Sequence, residues 1–382
     1  MRPLTRSAAA LATLFATLTP LAGVVTPAGA QDVLSKLSIH GYLTQGAAVS
    51  DSSTVIGIAK HGTTNYRRAA ILLRYTQTPN DAFVIQGAHR RLGDSPVMAY
   101  EPDVKIDWAF YERKFGGETS LRVGKAPIPY GIYNETRYTG TLLPFYRAPY
   151  AFYFEGAYTS ETIDGAVLSH AFLADSPFRV DASVYGGNYS LLEFNQVMNP
   201  ATGFFTYVVG KAQAENAVGG QLWVSTPIEG LRVGGGAGRA TMDGGVLRKP
   251  GLKETQRDWH AGIDGAFDRF AARGEYRGTI YRNLTYRGYY GQAGARVFGP
   301  LSVNAQGEVG TVEARNGATY RELEIPLIRD YAVGVNYAFR SDLLLKLEGH
   351  RTKGFNIEDS ANIFTNRPSV GRYYISSLSL AF

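Results

Sequence analysis

Charged side chains recur at even spacing in the first third of the sequence, and this spacing limits the chemistry that they could perform. Arg68 and Arg74 are six residues apart, with Ile71 and Leu73 between them. Because successive side chains of a β-strand point to opposite faces, residues an even number apart share a face. Cations that share the wet face of a strand would attract anions. The same parity argument gives five basic candidates, with Lys105 and Arg113 placed opposite Ile106, Trp108 and Phe110: Arg68, Arg74, Lys105, Arg113 and Arg122.

The sequence contains none of the common catalytic or metal-binding motifs. The six histidines form no H-E-x-x-H pair, and there is no G-x-S-x-G segment. The absence of cysteine excludes disulfides and zinc–thiolate sites. The glycine run 234–236 lies inside a strand-like segment with no helix after it, unlike a phosphate-binding loop. We therefore expect no enzymatic activity, no cofactor and no metal.

The elements that carry the charged residues are short segments in which apolar and polar residues alternate. Residues 331–339 read YAVGVNYAF, with tyrosine, valine and phenylalanine on one face and small or polar residues on the other. Lipid contact explains the first face, and a water-filled lumen explains the second. Most segments approach the length that a tilted membrane strand needs. Sixteen are predicted, near 36–46, 65–77, 81–91, 104–114, 119–124, 162–172, 179–187, 216–226, 231–240, 257–267, 270–280, 286–297, 301–312, 329–340, 343–352 and 371–382.

The gaps between the predicted strands alternate between short turns and long loops. Short gaps such as 78–80 and 298–300 contain proline, glycine or asparagine, which favour tight turns. Outer-membrane barrels show this alternation, with short turns at one end and long loops at the other. Only 19% of the residues are charged, whereas Gly is 44 and Tyr 25. The predicted fold is all-β, a transmembrane antiparallel β-barrel of about sixteen strands, with 14 or 18 as alternatives.

The N-terminal residues 1–30 have the pattern of a secretory signal peptide. Arg2 and Arg6 precede a mostly apolar stretch, and Ala-Gly-Ala at 28–30 provides a cleavage pattern. The mature chain 31–382 is then expected to be a single outer-membrane barrel. Removing the two arginines lowers the formal charge from +6 to +4, which is too small to indicate nucleic-acid binding.

The segment after the fifth predicted strand resembles a known loop. Residues 121–125 read LRVGK, and a Pro- and aromatic-rich stretch from Pro127 extends to residue 161. This pattern resembles the strand and third external loop of the porin superfamily, which includes general and phosphate-selective porins. The terminal Phe382 resembles the C-terminal assembly signal of bacterial outer-membrane barrels. The resemblance implies a Gram-negative outer-membrane porin, a homotrimer whose third loop (125–161) folds inward, with lipid and lipopolysaccharide as partners and small hydrophilic solutes as permeants.

The loop would bring charges of both signs toward the cationic wall. Glu135 could supply the acid of a transverse field across a narrow opening, and mild anion selectivity is the resulting hypothesis. The alternative is that the arginines are paired with acids or lie away from the constriction. The residues expected at the constriction are Arg68, Arg74, Lys105, Arg113, Arg122, Lys125, Glu135, Arg137 and Arg147.

Two other functions remain open at this point. One is a substrate-specific channel for phosphate, organic acids or sugars, since the aromatic run 145–154 could offer rings along which sugars stack. The same rings could instead pack the loop or belong to the aromatic girdle at the membrane interface. The other function is a structural or adhesive barrel that does not conduct. Conductance and ion selectivity would separate these functions.

Overall fold

The alternating segments form one closed antiparallel barrel in the computed structural model of the protein. The structure describes residues 32–51, 55–95, 98, 102–153, 161–198, 205–243, 253–281, 284–315, 322–354 and 369–382. Each strand pairs with its neighbours in sequence, and the first strand pairs with the last. The predicted fold and its sixteen strands are therefore confirmed, whereas the predicted signal peptide lies outside the described residues. The strands are β1 Leu37–Ser50, β2 Thr63–Thr78, β3 Asp81–Leu92, β4 Lys105–Phe115, β5 Thr119–Pro127, β6 Thr162–Phe172, β7 Val180–Met198, β8 Phe205–Ser225, β9 Leu231–Asp243, β10 Glu254–Ala266, β11 Phe270–Tyr281, β12 Leu284–Phe298, β13 Leu301–Arg315, β14 Glu322–Arg340, β15 Leu343–Gly354 and β16 Ser369–Ala381.

The two faces of the strands differ as the alternation predicts. On β14, Tyr331 and Val333 are 57% and 65% exposed. On the neighbouring strand β13, the side chains of the other face of the sheet are buried: Asn304, Gln306 and Glu308 are at most 7% exposed. Side chains that point out of a closed barrel are not buried by other parts of the same sheet, so the apolar face is the outer one. The polar, buried face lines the interior, as in barrels with a water-filled interior and an outer surface in lipid.

Exposed phenylalanines gather at the end of the barrel where the short turns lie. They lie in the short turns or at the strand ends beside them, where an aromatic ring suits the boundary between lipid and water. The Tyr337 and Phe339 rings lie 4.9 Å apart on the outer face near this end. The exposed phenylalanines of this end are Phe83, Phe115, Phe172, Phe178, Phe267, Phe270, Phe298, Phe339 and Phe382.

The barrel closes where the last residue meets the first strand. The Phe382 amide donates to the Gly41 carbonyl at 3.0 Å, and the Gly41 amide donates to the Phe382 carbonyl at 2.8 Å. The ring of Phe382 also covers Gly41, where a Cβ atom would lie 2.5 Å from the ring. Glycine is therefore required beneath the terminal ring.

The hairpin of β7 and β8 extends beyond its predicted ends. Strand pairing continues past a register shift at Gly187 and Tyr189 as far as Met198, which faces Phe205. The predicted strands span 179–187 and 216–226, so the sequence analysis places the residues between them in a loop. The backbone pairing continues the ladder there. Two short helices, a 3-10 turn at Gly140–Leu142 and α1 at Tyr150–Tyr153, lie in the segment between β5 and β6. No helix in the described ranges has the length and apolar character needed to cross a membrane.

Candidate pore constriction

A charged cluster lies where β2, β4 and β5 face the segment after β5. The carboxylate of Glu112 accepts from Arg74 at 2.6 Å and from Arg122 at 3.1 Å. Arg122 also lies 3.0 Å from Glu135, which belongs to the segment after β5. Three predicted residues, Arg74, Arg122 and Glu135, are thus brought together. Glu112, which is not among the predicted residues, bridges the two arginines.

Glu112 was missed, and Arg113 misplaced, because of a β-bulge. The pairing of β3 with β4 shifts register at Asp107, which has no partner on β3. One extra residue reverses the parity of everything after it. Phe110 and Glu112 therefore face the interior and are buried, while Arg113 lies on the outer face, 2.7 Å from Asp81. The prediction that Arg113 lines the interior is wrong.

The two predicted lysines differ in position. Lys105 precedes the bulge and lies 3.5 Å from Asp107 on the inner side. Lys125 pairs across β4 with Ala109 and has the parity of Val123, which is 46% exposed on the outer face. Its ammonium group donates to the Ile106 carbonyl at 2.6 Å. The structure therefore places Lys125 away from the other candidates, and its predicted place at the constriction is wrong. The alternation along β5 explains the difference, because Lys125 is an odd number of residues from the inner-facing Arg122.

The remaining three predicted arginines bind backbone carbonyl groups. Arg68 is 2% exposed and donates to the carbonyls of Tyr146 at 3.0 Å and Arg137 at 3.3 Å. Arg137, also buried, donates to the Tyr153 carbonyl at 3.3 Å and lies 3.3 Å from the carboxylate of Glu161. Arg147 donates to the Ile56 carbonyl at 3.2 Å. These guanidinium groups stabilise the position of the chain after β5.

Carboxylates of the later strands bind amides of the same segment. Glu275 of β11 accepts from the Ile132 amide at 2.9 Å. Glu308 of β13 accepts from the Ala151 amide at 2.6 Å. Glu348 of β15 accepts from the Tyr146 amide at 2.9 and 3.0 Å. Each acid thus satisfies a buried backbone donor that has no partner within a helix or sheet.

Basic side chains of these strands bind the carbonyls beside those amides. Arg277 of β11 donates to the Phe152 carbonyl at 2.7 Å, and Lys346 of β15 donates to the Phe145 carbonyl at 3.0 Å. Both side chains are fully buried. Hydrogen bonds to charged groups are stronger than neutral ones, at about 1.5–3 kcal/mol each. We call the six the loop-binding residues: Arg68, Glu275, Arg277, Glu308, Lys346 and Glu348.

The aromatic run of the segment is buried by packing. Phe145 and Tyr146 are 1% exposed, Phe152 is fully buried and Tyr153 is 3% exposed. Such rings present no accessible face along which a sugar could stack, so the described part of the run favours the packing interpretation. Phe154 lies outside the described residues. Burial also raises the pKa of Tyr133 to about 12, which keeps its hydroxyl protonated as a donor to Gln292.

A second charged cluster lies on the other side of the interior. Asp264 of β10 accepts from Arg232 at 2.8 Å and from Arg273 at 2.6 Å. Arg273 also donates to the Tyr133 hydroxyl at 2.8 Å, which connects this cluster to the segment after β5. The clusters at Glu112 and Asp264 together contain four guanidinium groups and three carboxylates, the third being that of Glu135. Unlike the loop-binding residues, these arginines are 22–39% exposed.

The closed barrel, with its apolar outer face and charged interior, has the fold of solved outer-membrane proteins, porins among them. No protein-family description matches the sequence, and no curated protein matches it. Among solved structures, the chain is similar to OmpF of Salmonella typhi in complex with daunomycin (12% identity, TM-score 0.61, covering 91% of this chain and 97% of that one). It is also similar to the trimer form of OmpT, an outer membrane protein of Vibrio cholerae (13% identity, TM-score 0.57, covering 91% and 99%). A third is an anion-selective porin from Comamonas acidovorans (10% identity, TM-score 0.55, covering 91% and 99%). The predicted resemblance is confirmed at the level of the fold.

Proposed function

We propose that the protein is an outer-membrane channel for the passive diffusion of small hydrophilic solutes, narrowed by the segment after β5. The observation that carries this proposal is the set of bonds from the loop-binding residues to the segment after β5. Arg68 lies on β2, whereas Glu275 and Glu308 lie on β11 and β13, on other parts of the wall. A segment bonded to inner side chains of several wall regions crosses the lumen and reduces its cross-section.

The charge of the accessible side chains supports a mild anion preference. The clusters at Glu112 and Asp264 contain more guanidinium groups than carboxylates, and exposed charges select permeant ions by sign. Pairing with Glu112 and Glu135 reduces the field of Arg74 and Arg122, so the preference is expected to be small. The buried loop-binding residues contribute little, because their charges are matched within the contact with the loop.

The proposed setting is the outer membrane of a Gram-negative bacterium. The apolar outer face with its aromatic edge suits contact with lipid and lipopolysaccharide. A homotrimer is proposed because the fold is shared with a protein whose structure is a trimer form. Residues 1–30 would direct export, and the mature barrel would comprise 31–382.

One observation favours a second function, a barrel that does not conduct. Many inner side chains are almost inaccessible, among them Arg277, Lys346 and Ser379, each 0% exposed. If the segment after β5 sealed the lumen completely, the protein would serve as a structural or adhesive barrel.

Conductance of the refolded mature chain in planar bilayers tests the proposal. We expect discrete conductance steps in KCl, and a reversal potential in a KCl gradient that indicates a small preference for chloride. Folding is verified beforehand by the heat-dependent shift in electrophoretic mobility typical of such barrels. Folded protein that inserts without conductance steps would establish the non-conducting function, and clear cation selectivity would contradict the anion preference.

A further inference from the structure

Like charges lie directly opposite each other on the outer face of the last three strands. Arg329 of β14 pairs in register with Lys353 of β15, and Arg351 of β15 pairs with Arg372 of β16. All four side chains are exposed, and they have the parity of the outward apolar residues of these strands. Like charges at directly opposite positions destabilise a sheet. We call these four residues the basic patch.

The protein itself supplies little negative charge to the basic patch. Among the described residues, no ion pair includes one of the four cations, and Asp330 of β14 is bonded to His350 on the inner face. The carboxylate of Asp51 lies beside the patch and accepts from the backbone amide of Arg372 at 2.9 Å. Four cations and one carboxylate leave a charge of +3, so a counter-charge from outside the sheet would relieve the repulsion.

The basic patch lies at the edge of the lipid-facing band. Along the outer face of β14, tyrosine and valine side chains separate Phe339, near a short turn, from Arg329, ten residues away. A tilted strand rises about 25 Å over such a length, which matches the height of the apolar band of outer-membrane barrels. The four cations therefore lie at the level of the lipid head groups, on the side of the long loops.

An apolar groove of about 900 Å³ adjoins the basic patch on its lipid side. Gly349 and Tyr374 line it, and each is two residues from a cation of the patch on the same strand. The lining continues onto β1 with Ala47 and Val49, and Val49 pairs in register with Tyr374. Small residues such as Ala47 and Gly349 leave a depression in the wall. The groove therefore spans the seam where β16 pairs with β1.

We propose that the basic patch and the groove together bind one phosphorylated lipid of the outer leaflet across this seam. Arginine binds phosphate oxygens in bidentate pairs, so phosphate groups of the lipid neutralise the like-charged pairs. The acyl chains lie along the groove and contact both β16 and β1. The inference rests on the proposed outer-membrane setting and adds to it a fixed site, whose occupant links the first strand to the last.

A second copy of the chain fits the basic patch less well than a lipid does. A protein partner would have to present carboxylates that are not already neutralised on its own outer face. Among the described outward acids, Asp81 is paired with Arg113, and Glu313 is paired with Arg287. A phosphate monoester head group, in contrast, has no cation of its own to displace.

Native mass spectrometry of the refolded mature chain with added lipid A, a phosphorylated glycolipid, measures the site. We expect saturable binding of one lipid A per chain. Replacing both Arg351→Gln and Arg372→Gln should raise the half-saturating concentration at least tenfold, about the effect of losing one charged hydrogen bond. The matched control replaces Arg239→Gln and Arg257→Gln, because these two arginines are also exposed and directly opposite each other, on β9 and β10 outside the groove. The control should stay within about twofold of the wild type.

The chemistry of the lipid and the position of the charges are tested separately. Dephosphorylated lipid A should bind at least tenfold more weakly than lipid A. Equal binding of the two lipids, or equal weakening by the two double substitutions, would overturn the site. Loss of trimers from the lipid-free Arg351→Gln and Arg372→Gln protein, but not from the control, would also overturn it, because the basic patch would then be a contact between copies.

The temperature of the heat-dependent mobility shift separates this inference from the channel function. Lipid A should raise that temperature for the wild type and the control, but not for the Arg351→Gln and Arg372→Gln protein, since a lipid across the seam opposes separation of β1 from β16. Such a rise would support the site even if bilayers show no conductance. A conducting channel without saturable binding of lipid A would overturn the site and leave the channel function standing.

Discussion

Arg277 is the loop-binding residue whose removal is expected to have the clearest local effect. It is fully buried, and it donates to the Phe152 carbonyl in α1 at 2.7 Å. Its guanidinium carbon also lies 5.0 Å from the Tyr286 ring and 5.7 Å from the Tyr130 ring. Arg277→Met preserves much of the side-chain volume but leaves a buried carbonyl without its donor.

The size of the effect follows from that bond. A hydrogen bond involving a charged group contributes about 1.5–3 kcal/mol, and the loss destabilises the docked state of the segment around α1. Because each 1.4 kcal/mol is a factor of ten, the undocked population should rise about 10- to 150-fold. The barrel itself should remain folded, since the strand ladders around residue 277 are unchanged.

Limited trypsin digestion measures this population. Arg147 lies three residues before α1 and donates to the Ile56 carbonyl, so cleavage of the peptide bond after it requires local opening. When opening is fast, the cleavage rate follows the open population, and we expect the Arg277→Met protein to be cut there 10- to 150-fold faster. Arg351→Met, at an exposed position on β15, is the control and should match the wild-type rate. Fast cleavage of the wild type, or equal rates in both variants, would refute a docked loop stabilised by wall charges.

Four other substitutions test three separate parts of the structure. Arg122→Gln should shift the reversal potential in a KCl gradient toward cation selectivity, and Glu135→Gln toward anion selectivity; shifts of the same sign would contradict the charge argument. Gly288→Ala should undock the loop and increase single-channel conductance, because the added Cβ would overlap the backbone of α1, and unchanged conductance would show that α1 is not held against β12. Gly41→Ala should destabilise the barrel seam by about 1–3 kcal/mol, since its Cβ would lie 2.5 Å from the Phe382 ring. If the Gly41→Ala barrel changed its electrophoretic mobility at the same temperature as the wild type, the predicted loss of stability would be contradicted.

The strands and their connections were predictable because two local rules act together. Alternation identifies a strand with one lipid face, and turn residues separate neighbours, so a meander closed by β1 and β16 follows without long-range information. Parity within uninterrupted strands placed Arg68, Arg74 and Arg122 on the inner face, as the structure has them.

The candidate site was less predictable, because it depends on irregular pairing and distant contacts. Nothing in the sequence shows that Asp107 has no strand partner on β3. That bulge nevertheless places Arg113 on the outer face and Glu112 on the inner face. The acids of β11, β13 and β15 are not among the predicted site residues, since no local pattern shows that Glu308 accepts from an amide 157 residues away.

The order of residues along the chain imposes an order on folding. The segment after β5 precedes most of its partners: Ile132 lies 143 residues before Glu275, and Tyr146 lies 202 residues before Glu348. Contacts at such separation form only after the intervening chain is ordered, because the entropy of closing so long a loop opposes them earlier. We therefore expect the segment to stay solvated while the strands assemble and to dock last. A newly inserted barrel whose segment after β5 is docked has therefore completed its strand pairing. A barrel that is still open would expose that segment to cleavage by a protease.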